Sequence, residues 1–258
     1  MAKPIGSVTR GTTNPNRLRR VDRYIAALPQ IKEQQPVVVD LGFGASPITA
    51  IELRARLLKV NPGVRVVGVE IERERVERGL AIAEPGLDFT HGGFEVPLPK
   101  GMTEATVIRA FNVLRQYDES EVAAAWTLMQ SRLSETGLLI EGTCDEIGRL
   151  SSWITLSKQE PLWFTISLKL GGLENPSKVA ERLPKALIHH NVPGERIHDW
   201  LQALDRAWAK QASLSTFGPV QRWLAVCEQL VGEGWPIKVD RKRWRLGELT
   251  LAYDAVRP

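Results

Sequence analysis

The residues best placed to do chemistry are the turn Gly42-Phe43-Gly44-Ala45-Ser46-Pro47 and the acid Glu70. Glycines directly after a short apolar run let the backbone approach a ligand, and the helix that follows presents unpaired N–H groups at its start. This is the chemistry of a nucleotide-type cofactor turn. A dinucleotide fingerprint would place glycine or alanine where this chain has Pro47, which suits a first helical turn but not the tight helix–strand packing of that motif. Cys144 and Cys227, and His91, His189, His190 and His198, show no metal-type spacing, so no metal site is expected.

The turn must be held by a strand before it and a helix after it. Residues 36–41 (PVVVDL) form a continuous apolar run of the kind buried on both faces of a parallel sheet, and a helical pattern follows to about Lys59. Residues 64–69 give a second strand closed by Glu70, and Arg73 to Ala83 a helix. Residues 87–90 give a third strand before His91-Gly92-Gly93, and residues 106–111 a fourth. A helix over residues 120–133 and a fifth strand over 138–141 complete the alternation. After Gly142 the pattern changes to two strands, 153–156 and 162–170, and then to helices from about Asn175 to Val231, with strand-like pieces around Gly247. The expected fold is α/β, a doubly wound, mostly parallel seven-stranded sheet with an antiparallel end and an appended, mainly helical C-terminal part. The expected organisation is a basic N-terminal segment (1–30) able to fold over the cofactor, a cofactor domain (31–170) and a helical substrate-side region (171–258).

The 258 residues are 43% hydrophobic and 25% charged, enough apolar material for a core and too little charge for a disordered chain. No run of about 18 apolar residues is present and the N-terminus lacks an apolar signal core, so the expectation is a soluble, cytoplasmic protein with no membrane partner. The net charge of +4 is uneven: residues 1–30 carry +5 and residues 238–258 carry +3, leaving −4 between them. Basic ends of this kind suit either RNA phosphates or plain solvated surface.

Asp40-Leu41-Gly42-Phe43-Gly44, a second strand ending in Val69-Glu70, and the absence of a Walker lysine together resemble the class I S-adenosylmethionine-dependent methyltransferases over residues 36–145. The resemblance implies the Rossmann-like methyltransferase fold and S-adenosylmethionine as cofactor. It implies Asp40, Gly42, Phe43 and Gly44 at the methionine end, and Glu70 on the ribose hydroxyls. It places Thr90, His91, Gly92 and Phe94 beside the adenine, and Asn112 near the exposed end of the cofactor. Catalytic residues are unassigned, with Asn112, Arg115, Tyr117 and His91 as candidates. The chain has Asn112-Val113-Leu114-Arg115 where adenine and glutamine amino methyltransferases resemble Asn-Pro-Pro-Tyr, and it lacks the Asp-Pro-Trp segment of tRNA guanine-N7 methyltransferases.

The implied reaction is methyl transfer by direct displacement to a small molecule or to RNA, the former slightly favoured. Two alternatives stay open. One is a nicotinamide-dependent oxidoreductase. The other is a nucleic-acid-binding protein with a relict cofactor fold, binding through Arg17, Arg19, Arg20 and Arg243. Cys144, flanked by Asp145 and Glu146, is expected to be structural rather than nucleophilic. Trp200, Trp208 and Trp223 sit in helical patterns as core residues, and residues 241–245 (RKRWR), around Trp244, are the best basic-aromatic cluster for nucleic acid, a basic edge strand being equally expected.

Overall fold

The computed structural model describes residues 3–258. They form two compact units: residues 3–141 with Glu146–Gly148 and Leu156–Glu160, and Gly142–Asp145 with Arg149–Thr155 and Pro161–Pro258.

The first unit is a parallel sheet built around β1, Val37–Leu41. Val38 and Val39 are buried because both faces of the strand are covered. β1 pairs in parallel with β2, Arg65–Glu70, on one side and with β4, Ala105–Phe111, on the other. β3, Leu87–His91, pairs in parallel with the outer edge of β2. The order is β3-β2-β1-β4-β5, where β5 is Leu133–Cys144. The chain therefore works outward from β1 to β3 and then crosses to the opposite side of β1. That reversal opens a crevice at the C-terminal ends of β1 and β4, the usual ligand position in a doubly wound sheet.

Helices follow the strands as the apolar periodicity requires. α1 is Arg19–Ala26, α2 is Ile48–Leu57, α3 is Arg73–Leu80 and α4 is Val122–Gln130. Asp118 and Glu121 form a capping box ahead of α4, with Asp118 N–H donating to Glu121 Oε2 at 2.9 Å. The helix expected through Leu133 stops at Gln130, and Leu133 instead begins β5.

β5 leaves the first unit at Glu141 and enters the second at Gly142. In the second unit the order continues β5-β6-β7-β8, with β6 at Leu150–Leu156, β7 at Pro161–Leu168 and β8 at Glu248–Ala252. β7 and β8 are antiparallel, with Thr165 opposite Thr250. The strand-like piece after Gly247 thus supplies an eighth strand where seven were expected. α5 (Lys185–Ile188), α6 (Arg196–Lys210) and α7 (Pro219–Gly232) make up the helical part. Trp200, Trp208 and Trp223 are buried in it as expected, with Trp200 edge-on to Phe164 at 5.6 Å between ring centres.

The basic cluster at 241–245 is not an edge strand. It forms α8, Arg241–Trp244, because Asp240 accepts hydrogen bonds from the backbone N–H groups of Lys242 and Arg243 at the helix start. Trp244 is buried, and Arg243 is held by Glu248 at 2.6 Å. Cys144 and Cys227 are both buried. Among the described residues no helix is long and apolar enough to cross a membrane.

Glu141, in β5, is fully buried beside the indole of Trp126. Burial pushes its pKa up to about 8. The unfolded carboxyl ionises near its ordinary value while the native one keeps its proton, so this group makes stability fall as pH rises from about 4.5 to about 8. Glu141→Gln is expected to remove that slope and to gain roughly 3 kcal/mol at pH 7, little of which remains at pH 5. Denaturant unfolding at the two pH values checks this, and an equal change at both would refute it.

Candidate functional site

The crevice holds a small cavity of about 20 Å³. Leu41 and Gly42 form its floor, Glu70 and Ile71 one wall, and Gly92, Gly93 and Phe94 the next. Val113 and Tyr117, after β4, form the opposite side. The cover is the N-terminal segment, which contributes Ile5, Ser7 and Thr9.

The glycine turn has the shape its sequence requires. Gly42 and Gly44 have φ of +72° and +85°, where a side chain is strained. A Cβ on Gly42 would meet Val113 Cγ2 at 2.6 Å, and one on Gly44 would meet the Gly11 carbonyl oxygen at 2.7 Å. Gly42 N–H donates to the Val69 carbonyl at 2.8 Å, which ties the turn to the end of β2. Phe43 points away from the cavity into the core, edge-on to Phe89.

Glu70 is 1% exposed and belongs to both the turn and the cavity. Its Oε2 accepts the Gly44 N–H at 2.9 Å, and its Oε1 accepts the Ile71 N–H at 2.9 Å and, more weakly, the Glu72 N–H at 3.3 Å. Arg75, from α3, places Nη1 3.6 Å from Glu70 Oε1. Strand end, glycine turn and acid therefore form one hydrogen-bonded object. Gly92 N–H, bonded to the Glu70 carbonyl at 3.0 Å, extends it to the loop after β3.

Asp40 lies beneath the turn and does not line the cavity. Its carboxylate accepts the Thr49 hydroxyl at 2.7 Å and pairs with Arg109 of β4, Nε to Oδ1 at 3.0 Å and Nη2 to Oδ2 at 2.7 Å. Arg109, fully buried, also pairs through Nη1 with Asp22 of α1 and donates to the Thr49 carbonyl at 3.1 Å. Arg56 reaches the other Asp22 oxygen at 2.7 Å. Even between two arginines, burial holds the Asp22 carboxyl up at about 6.

The remaining expected residues divide. Gly92 and Tyr117 reach the cavity, together with Phe94. Thr90 turns its hydroxyl to the Pro97 carbonyl at 2.9 Å, outside the cavity lining. His91 Nε2 is 2.9 Å from the Ile71 carbonyl; it must carry a proton to make that bond, so this nitrogen is not placed as a base. Asn112 adopts φ +60°, a left-handed conformation that asparagine tolerates, and neither it nor Arg115 lines the cavity. Sequence reasoning missed Ile5, Ser7, Thr9 and Arg75. The one legible signal among them was Gly11, whose φ of +68° lets the segment cross the glycine turn, with Ala45 N–H donating to the Gly11 carbonyl at 2.9 Å.

No protein-family model matches this chain, and no curated protein is detectably similar to it. Among solved structures it is similar to human N-acetylserotonin methyltransferase in complex with SAM, at 21% identity and TM-score 0.37 over 51% of this chain and 36% of that one. It is also similar to a SAM-dependent methyltransferase of Leishmania major, at 17% identity and TM-score 0.38 over 51% and 54% of the two chains. A third is the plantazolicin methyltransferase BpumL in complex with SAH, at 11% identity and TM-score 0.40 over 51% and 48%. The matches span about a third to about half the length of these structures. The strand order, the reversal beside β1 and the antiparallel end define the fold independently: it is doubly wound and Rossmann-like.

Proposed function

We propose that the first unit binds S-adenosylmethionine and that the protein transfers its methyl group by direct displacement to a small-molecule acceptor. The observation that carries this reading is Glu70, a buried acid at the end of β2 in the same cavity wall as the glycine turn. A carboxylate only accepts hydrogen bonds and has about four acceptor positions. Glu70 spends two on short bonds to Gly44 and Ile71, and its 3.3 Å contact with Glu72 is the one a ribose hydroxyl would displace. Two O–H donors side by side fit that arrangement. Ile71, Phe94 and Val113 supply apolar surface for a flat base.

Bound there, S-adenosylmethionine supplies an already activated methyl group on its sulfonium. What remains for the protein is orientation and exclusion of water. The backbone of Gly42 to Gly44 fixes the donor end, Glu70 the sugar, and the N-terminal segment covers the site.

RNA is the weaker acceptor because the arginines that would bind it are committed elsewhere. Arg17 donates to the Thr12 carbonyl at 2.6 Å, Arg19 to the Ile147 carbonyl at 2.8 Å and Arg20 to the Gly148 carbonyl at 3.0 Å. Arg243 is spent on Glu248. The oxidoreductase reading is weakened by Pro47, which occupies the position of the small residue in a dinucleotide turn.

Titration calorimetry of the full chain with S-adenosylhomocysteine, and separately with a nicotinamide dinucleotide, tests the reading. Saturable binding of the first and none of the second is expected; the reverse pattern would assign the cavity to an oxidoreductase.

A further inference from the structure

The N-terminal segment does more than border the cavity. From Ile5 to Thr9 it borders the cavity, with Ile5, Ser7 and Thr9 in the lining and Gly6 packed over Tyr117, Ile71 and Phe94, while Val8 is exposed. Gly6 and Gly11 bracket it, with φ of +131° and +68°. Each glycine abuts the side chain that fastens its end. A Cβ at Gly6 would meet the Tyr117 hydroxyl at 2.9 Å, and one at Gly11 the Arg75 guanidinium carbon at 2.5 Å.

The fastenings are few and specific. The Tyr117 hydroxyl accepts the Ser7 N–H at 2.6 Å and donates to the Ser7 carbonyl at 3.0 Å. Burial pushes the Tyr117 hydroxyl above its ordinary value, so it keeps the proton that this second bond needs. Phe94 N–H donates to the Ile5 carbonyl at 2.9 Å. Arg75 donates from Nη2 to the Thr9 carbonyl at 3.1 Å and pairs through Nε with Glu72 at 2.8 Å. Its third nitrogen, Nη1, is buried without a hydrogen-bond partner, beside Glu70. One guanidinium thus touches both the cover and the acid assigned to the ribose.

The segment is cheap to lift. Gly6, Ser7, Val8 and Arg10 are exposed, so it is held by a handful of hydrogen bonds, each worth only about 1 kcal/mol net, with little apolar burial. Beyond Gly11 the situation reverses, because α1 is pinned by the buried Asp22–Arg109 pair. A loosely held strap joined at a glycine to a firmly held helix is a hinge. With the strap in place the cavity is only about 20 Å³, room for little more than a water molecule and far below a small-molecule site, so a cofactor enters only if the strap moves.

We propose that Ile5–Gly11 is a strap that lifts to admit the cofactor and closes over it. Tyr117 and Arg75 act as positioning residues, and Arg75 couples closure to ligand on Glu70. This rests on the cofactor assignment proposed above.

The test uses the full chain, labelled S-adenosylhomocysteine and two readouts: its exchange rate, and tryptic cleavage after Arg10 in the exposed strap. The product analogue is expected to slow cleavage after Arg10 at least tenfold. Tyr117→Phe and Ser7→Pro are expected to release it about tenfold faster than wild type, with ligand-free unfolding midpoints close to wild type. Ser7 is exposed, so its variant folds even if the tyrosine variant does not. Release rates within twofold of wild type in both variants, or cleavage indifferent to ligand, would overturn the strap while leaving the cofactor site intact. A wild-type protein that retains no S-adenosylhomocysteine would overturn both.

Discussion

Arg109→Met is expected to lower the unfolding midpoint by roughly 10 °C at pH 8, the consequence of some 3–5 kcal/mol lost when a buried charge network loses its central cation. Arg109 is the fork that joins Asp22 on α1 to Asp40 on β1 and closes on the Thr49 carbonyl. Removing it leaves two carboxylates in the core, one of them Asp22 with only Arg56 remaining. The sign of the pH dependence follows. Burial already holds Asp22 at about 6 with both arginines beside it, so without Arg109 its pKa climbs further. At pH 5 the carboxyl is neutral in the variant and much of the cost disappears; at pH 8 the cost is at its full value. The triple variant with Asp22→Asn and Asp40→Asn should recover most of the loss, because the penalty comes from unpaired charge rather than missing volume. Thermal unfolding at pH 5 and pH 8 decides the matter. A deficit equal at both pH values would mean that Arg109 acts through packing alone.

That network marks the boundary between what the sequence discloses and what it hides. Val37 to Leu41 is legible because a strand buried on both faces has to be apolar throughout, and the glycines after it are legible because only they accept the backbone of the turn. Glu70 is legible by position, as the acid that closes the next apolar run. Arg109 sits in a run just as apolar, residues 105–111 (ATVIRAF), and a lone charge there has to be paired. Nothing local says with what, since its partners lie 69 and 87 residues away. That the N-terminal segment could fold over the cofactor is legible, but its fastenings are hidden for the same reason. Ile5 and Ser7 meet Glu95 and Tyr117 across 90 and 110 residues, and a polar segment has no periodicity to show which side faces inward. The cluster around Trp244 was misleading in another way. Alternating basic residues satisfy a strand pattern, but Asp240 in front of them caps a helix, and the cap decides.

Replacing Glu70 is expected to have the largest effect on binding. The assigned task is to accept both ribose hydroxyls, and hydrogen bonds to a charged group contribute about 1.5–3 kcal/mol each, so Glu70→Ala should weaken S-adenosylhomocysteine by at least about 100-fold. Loss of affinity alone would not establish the role, because Glu70 also holds the Gly44 and Ile71 N–H groups and its removal loosens the turn. The two contributions separate when the ligand is changed along with the protein. Wild type should bind adenosine far more tightly than its dideoxy analogue, since the analogue leaves the buried Glu70 carboxylate facing no donor. In Glu70→Ala the two nucleosides should bind almost equally, because the acceptor that told them apart is gone. A loosened turn weakens both ligands by the same factor and leaves their ratio untouched. Calorimetry on four combinations of protein and ligand therefore reads the carboxylate–ribose contact free of the scaffold. A preference for adenosine that survives in Glu70→Ala would place the sugar elsewhere and remove the observation on which the methyltransferase reading stands.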